Sequence, residues 1–143
     1  MFYGEFQHTI DPKGRVIIPA AFRSELGERF MITKGLEGCL FIFSGTQWNN
    51  LVSKLETLPL SNTNARAFNR FFFSTASECE MDKNYRILVP QALRSHAELE
   101  KDISIIGVGT RVEVWNRDKW EKYMRDDSLS SDSIAETMTM LGI

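Results

Sequence analysis

The sequence predicts an α+β protein, mainly β, in which two pseudo-symmetric units share one core. Three observations lead there. The chain has 143 residues, 43% of them hydrophobic and 25% charged, which suits one compact domain or two very small ones. It carries an internal repeat. Each copy of that repeat reads as short β-branched segments separated by turns and closed by a helix.

The repeat is clearest in DPKGRVIIP (11–19) and DKNYRILVP (82–90). At a shift of 71 residues Asp11 meets Asp82, Arg15 meets Arg86 and Pro19 meets Pro90. Ala21, Arg23 and Ser24 meet Ala92, Arg94 and Ser95 at the same shift, and VII meets ILV. One inserted residue then changes the shift to 72, where Gly35 meets Gly107, Phe43 meets Trp115 and Trp48 meets Trp120. Matches of this density with one slip indicate a duplicated unit of roughly 45 residues.

In the first copy, residues 4–10 and 15–18 are strand-like. Pro19 ends the second strand and opens a short helix, PAAFRSEL. FMITK and CLFIF are strands on either side of the glycine-containing turn KGLEG. A helix then starts at Ser44 or Thr46, with Trp48, Leu51, Val52 and Leu55 forming one apolar stripe. The second copy predicts strands near 76–82, 86–89, 102–107 and 110–115, then a helix carrying Trp120, Tyr123 and Met124, capped at Asn116. Between the copies, NARAFNRFFF is helix-compatible, with Phe68, Phe71 and Phe72 on one face and Arg66 and Arg70 on another. A recognition helix is the competing reading. No helix precedes it at the required spacing, and three consecutive phenylalanines suit burial, so an amphipathic bridge is preferred. The expected division is a first unit at 5–47, a helical connector at 48–75, a second unit at 76–119, and a C-terminal helix with an acidic tail at 120–143.

A unit of this size buries too little apolar surface to offset its chain entropy. Two such units must therefore interleave, and one closed or nearly closed barrel removes the exposed strand edges.

The repeated turn has its own chemistry. Aspartate, proline and glycine at the first, second and fourth positions of DPKG specify a stiff hairpin with Gly14 left-handed. Asp11 can accept from the turn's own amides and pair with Arg15. Lys13 at the tip and Arg15 at the strand entrance then make a cationic probe suited to phosphate or a guanine edge. A surface ion pair that merely closes the turn fits the spacing equally well. The second copy has Lys83 and Tyr85 in place of Pro12 and Gly14. Tyrosine is disfavoured at positive φ, so the second turn is expected to differ and to use Asn84 as its left-handed residue. Tyr85 either stacks on a base or covers the surface, and the latter is preferred.

Other classes are disfavoured by what the chain lacks. No apolar run approaches the roughly 18 residues of a membrane span, and MFYGEFQHTID does not read as a signal peptide, so a cytoplasmic protein is expected. Cys39 and Cys79 are far apart, without CxxC or histidine at ligand spacing, and read as buried strand residues. His8 and His96 are single. No nucleophile elbow, phosphate loop or metal spacing is present, so neither an enzyme nor a cofactor is expected. Net charge is -2, but Asp126, Asp127, Asp132 and Glu136 lie in a tail without Lys or Arg. Setting these aside leaves residues 1–125 with 17 basic and 15 acidic groups, a mildly basic body compatible with nucleic acid.

With these motifs in hand, the chain resembles the MraZ family, regulators built from two swapped-hairpin units similar to AbrB and SpoVT DNA-binding domains. MFYGEFQHTIDPKGRVIIPAAFR, ARAFNRFFFSTASECEMDK and IIGVGTRVEVWNRDKW carry the resemblance, which spans about residues 1–125. It implies a double-psi-like β-barrel with flanking helices. It also implies a nucleoid-associated, autoregulatory transcriptional regulator, binding direct repeats in the promoter of the division and cell-wall gene cluster, assembled in rings commonly of eight. Carried over by residue, Arg15 and Arg86 become the main DNA contacts, Lys13 and Lys83 phosphate contacts, and Asp11, Asp82 and Gly14 the groups that orient them. The alternative is an AbrB-like protein-interaction module resembling an antitoxin. Its docking element would be the tail, where Ile134, Met138 and Leu141 recur at helix spacing.

Overall fold

The computed structural model describes residues 1–126 and 130–143. The first copy contributes β1 (Phe2–Thr9), β2 (Arg15–Ile17), α1 (Ala20–Leu26), β3 (Arg29–Lys34), β4 (Leu40–Ser44) and α2 (Gly45–Glu56). The connector supplies α3 (Thr63–Phe73). The second copy contributes β5 (Ser77–Glu80), β6 (Arg86–Leu88), α4 (Gln91–His96), β7 (Asp102–Gly109), β8 (Val112–Asn116) and α5 (Arg117–Met124), and α6 (Ser131–Leu141) follows. The part of the expected acidic tail at 127–129 lies outside the described residues.

Strand pairing follows the repeat. Antiparallel neighbours run in the order β1-β7-β8-β4-β3-β5, and β2 pairs with β6 as a separate ribbon. The first strand of each copy leaves its own unit: β1 pairs with β7 from Phe2↔Gly109 to Thr9↔Asp102, and β5 pairs with β3 from Arg29↔Glu80 to Ile32↔Ser77. The copies meet at β4–β8 and at β2–β6. The chain therefore has an internal pseudo-two-fold axis in its pairing. Closure into one barrel is absent from these pairings: β1 and β5 are the edges of an open sheet. An isolated Ile10–Val16 bridge and the bond from Asp11 N–H to Arg15 O link the start of β2 back toward β1, while β2 and β6, three residues each, pair with one another.

Two apolar layers flank the sheet. Leu40 and Ile42 of β4 and Val112 and Val114 of β8 point into the main core, with Val16, Ile18, Phe22, Ile87, Val89 and Leu93. This layer lies under the ribbon, α1 and α4. Phe41, Phe43 and Trp115, on the alternate positions of the same strands, pack on the other side with Phe72, Trp48, Leu51, Trp120 and Tyr123, beneath α2, α3 and α5. All residues of β4 and β8 are thus buried, since both sheet faces are covered. The connector helix is the expected amphipathic bridge: Phe72 is buried and its carbonyl accepts from Thr33 Oγ1 at 2.6 Å. Ser44 and Asn116 cap α2 and α5, accepting from the amides of Gln47 and Lys119 at 3.2 Å each.

Glu113 is a buried carboxylate in the second layer. Arg111 Nη2 approaches it at 2.9 Å and Trp115 Nε1 donates to it at 3.0 Å, which satisfies its charge and its lone pairs. Cys39 immediately precedes β4, Cys79 lies in β5, and both are buried free thiols. Burial pushes the Cys79 thiol up to about 12 and raises that of Cys39 further, so neither is a ready nucleophile. Among the described residues, no helix is long and apolar enough to cross a membrane.

The exchange of strands requires one close backbone approach. A Cβ at Gly107 would lie 2.3 Å from the Tyr3 amide nitrogen and 2.6 Å from the Phe2 carbonyl carbon. Gly107→Ala is therefore expected to force β1 from β7 and to lower stability by about 3 kcal/mol or more. Gly45→Ala is the control: its nearest neighbour is 4.0 Å away in a helical backbone, and it should gain about 0.4–1 kcal/mol. Urea unfolding of the two variants measures both effects.

Candidate nucleic-acid interface

Both repeated turns make the same set of hydrogen bonds. In the first, the amides of Lys13 and Arg15 donate to Asp11 Oδ1 at 2.9 and 2.8 Å, and Arg15 Nε donates to Asp11 Oδ2 at 2.6 Å. In the second, the amides of Asn84 and Arg86 donate to Asp82 Oδ1 at 2.8 and 3.0 Å, and Arg86 Nε donates to Asp82 Oδ2 at 3.0 Å. The turn bonds also match: Gly14 N–H to Asp11 O and Tyr85 N–H to Asp82 O are both 2.9 Å. One carboxylate therefore closes the turn and aims a guanidinium. Because Nε makes that bond, the Nη donors of both arginines carry no hydrogen bond among the described residues.

The expectation for the second turn is overturned. Tyr85, not Asn84, takes the left-handed conformation, at φ 62°, where Gly14 has φ 84°. The shared hydrogen-bond set demands positive φ at the residue before the arginine, and those bonds prevail over the side chain's preference. Tyr85 gains a neighbour in exchange. The Arg23 guanidinium of α1 stacks 3.9 Å from its ring centre, while Arg23 Nε donates to Ile18 O at 2.9 Å. At the first turn the equivalent residue, Arg94 of α4, fills the space beside Gly14: a Cβ there would lie 2.6 Å from Arg94 Nη1. Each turn is thus supported by the helix of the opposite copy. The sequence signal for this role is the identical place of Arg23 and Arg94 in the two copies.

The turns are also tied to each other. Ile18 N–H donates to Tyr85 O, and Val89 N–H donates to Gly14 O, both at 2.9 Å. The ribbon pairs Arg15 with Leu88, Val16 with Ile87, and Ile17 with Arg86. Alternation puts Val16 and Ile87 on the core side, at 1% and 2% exposure. Arg15, Ile17, Arg86 and Leu88 share the outer face, with exposed Lys13 and Lys83 at opposite ends. The fold thus brings all four candidate cations to one ribbon. Its planar, hydrogen-bond-poor guanidiniums suit oxygen-rich ligands such as phosphates or guanine edges.

His8 and His96 lie elsewhere. His8 is in β1 and is held below its ordinary value by burial and then by Arg23. His96 Nε2 lies 3.3 Å from Gly35 O, with its ring near Phe71. Among the described residues no group of three or more His, Cys, Asp or Glu is placed to hold a metal ion.

Asp11 and Asp82 titrate below the ordinary carboxylate range. The backbone amides of Arg15 and Arg86 are the largest causes, and the guanidiniums add to them. A carboxylate with a depressed folded value stabilises the turn above its unfolded value and loses that contribution as pH falls through the folded one. Carboxylate NMR titration should give midpoints for Asp11 and Asp82 below that of an unstructured aspartate. Arg15→Ala and Arg86→Ala should each move the paired midpoint upward.

Comparison with known proteins agrees with this duplicated architecture. The family described as "MraZ protein, putative antitoxin-like" matches the chain twice, over residues 1–71 and 72–141. The chain is 59% identical over all 143 residues to a protein of Acetivibrio thermocellus named Transcriptional regulator MraZ, and the alignment covers all of both chains. Proteins of the same name from Alkaliphilus oremlandii and Thermoanaerobacter pseudethanolicus are 60% and 54% identical, again over the full length of both chains. Two matched copies of one family unit, together with full-length identity above half, establish that the chain belongs to the MraZ family.

Proposed function

We propose that this protein is a sequence-specific DNA-binding transcriptional regulator. The observation that carries the reading is the pair of identical aspartate-braced arginine turns presented on one exposed ribbon. Names of full-length relatives support the regulatory part. In this reading Arg15 and Arg86 reach base edges, Lys13 and Lys83 hold phosphates, and Asp11, Asp82 and Gly14 fix the geometry of the tips. A two-stranded ribbon is narrow enough for the major groove. The exchanged first strands support an AbrB-like swapped-hairpin relationship with a double-psi-like arrangement. The units are taken as 5–47 and 76–119, joined by 48–75 and followed by 120–143.

Four motif cations give one chain a weak electrostatic grip. A closed ring of subunits, eight in the family's common form, multiplies that grip at regular spacing, and direct repeats then raise affinity through effective concentration. The proposed operator is the set of direct repeats upstream of the division and cell-wall gene cluster, with autorepression as the outcome and the nucleoid as the place of action.

A second reading is favoured by one observation. The expected stripe of α6 is exposed among the described residues, with Ile134, Met138 and Leu141 at 51%, 42% and 69%. In an antitoxin-like interaction module this helix would dock on another protein. Deleting 127–143 separates the readings: loss of a co-purifying partner with operator binding intact supports the interaction module, and loss of operator binding or of the assembly gives the tail to the DNA-binding form.

A gel shift on DNA upstream of the gene, with a salt series and a mass measurement of the free protein, tests the main reading. Arg15→Ala should cost about 1–3 kcal/mol per engaged subunit and nearly abolish binding by a ring. Lys13→Ala should weaken binding evenly across sequences and reduce the salt slope by about one. Unchanged affinity of folded Arg15→Ala would remove the arginine from the interface.

A further inference from the structure

The ribbon face that carries the two arginines also carries two exposed aliphatic side chains. Ile17 is 41% exposed and Leu88 62% exposed. They occupy the same position of the two copies, 71 residues apart. Isolated exposed aliphatics are ordinary on a protein surface. These two are distinguished by their cross-strand partners. Leu88 stands directly opposite Arg15, and Ile17 directly opposite Arg86, so each guanidinium has an aliphatic neighbour at about 5 Å between Cβ atoms.

Charge decides what can cover this face. A protein surface seated on Ile17 and Leu88 would also cover Lys13 and Lys83, which have no ion pair among the described residues, and the Nη donors of Arg15 and Arg86, whose Nε atoms Asp11 and Asp82 already hold. It would have to supply acids to the lysines and acceptors to the guanidiniums. The acids of the turns cannot serve a partner, because Asp11 and Asp82 already accept from two amides and a guanidinium each. The DNA major groove supplies both needs together. Its walls are phosphates, guanine offers O6 and N7 to a guanidinium, and thymine alone among the bases offers a methyl group.

Dimensions agree. The Arg15–Leu88 and Ile17–Arg86 pairs are two residues apart along the ribbon, about 7 Å at strand rise. Nucleotides of one strand rise about 3.4 Å each, so the two pairs span about two base-pair steps.

We propose that Leu88 and Ile17 contact thymine C5-methyl groups on base pairs adjoining the guanines read by Arg15 and Arg86. Each end of the ribbon then selects a guanine next to a thymine. The arginine supplies directional hydrogen bonds and the aliphatic side chain supplies a methyl-sized apolar contact. This inference rests on the DNA-binding reading above and extends it to two residues and one base.

The test uses the full-length protein. A preferred duplex is selected from a random library and resynthesised with uracil in place of each thymine, which removes only the methyl. At fixed salt the unmodified protein should bind the uracil duplex about fourfold more weakly per contacted methyl. Ile17→Ala and Leu88→Ala should bind the thymine duplex more weakly and lose the preference over uracil at one position each. Lys13→Ala should weaken both duplexes while keeping the preference. Because the uracil comparison needs no variant, it stands even if a substitution disturbs folding. Equal affinity of the unmodified protein for both duplexes would overturn the proposal, as would a double Ile17→Ala, Leu88→Ala variant that still prefers thymine. Loss of the assembled mass in that variant, with no thymine preference in the parent, would assign the face to a subunit contact instead. Absence of salt-dependent binding to any duplex would defeat the DNA reading itself.

Discussion

The constraint on which the structure depends is the exchange of strands between its two copies. β1 completes the sheet of the second copy and β5 that of the first, and the main core draws its side chains from both copies. The shared core then places β2 against β6. Two reciprocal backbone bonds, from Ile18 to Tyr85 and from Val89 to Gly14, lock each turn to the strand after the other. Each turn thus receives a backbone bond and a neighbouring arginine from the opposite copy. That arrangement reduces the ordering that a binding event must supply.

The two turns reach one geometry by different routes. Gly14 takes positive φ without strain, and the space left by its missing side chain is occupied by Arg94. Tyr85 takes positive φ at a cost and covers part of it with a guanidinium stack from Arg23. The copies have thus diverged in side chains while keeping their carboxylate-to-amide bonds. The divergence leaves the ends of the ribbon chemically unequal, with a compact glycine turn at one and a half-exposed aromatic ring at the other. Ligands approaching the two ends meet the same braced arginine with different surroundings.

Much of this was legible in the sequence for identifiable reasons. The repeat predicted matched elements, and the caps at Ser44 and Asn116, the apolar stripe from Trp48 to Leu55 and the proline-led short helices are local features that local chemistry decides. The aspartate–arginine pairing is local as well, spanning four residues. Barrel closure was not legible, because which strand edges remain open depends on the length of β2 and β6 and on where their hydrogen bonds go. The second turn misled for a similar reason. Tyrosine's intrinsic preference was read correctly, but the bonds from Asp82 and the stack from Arg23, 62 residues away, outweigh it.

The sequence by itself determined that there are two equivalent units, where their turns lie and which residue types those turns carry, since all of these follow from spacing and local propensity. Tertiary structure alone decided that the two turns share a ribbon, that helices cross over to support them, and that Ile17 and Leu88 stand beside the arginines. Those relations join residues about 70 positions apart through one common core, and no local preference encodes them.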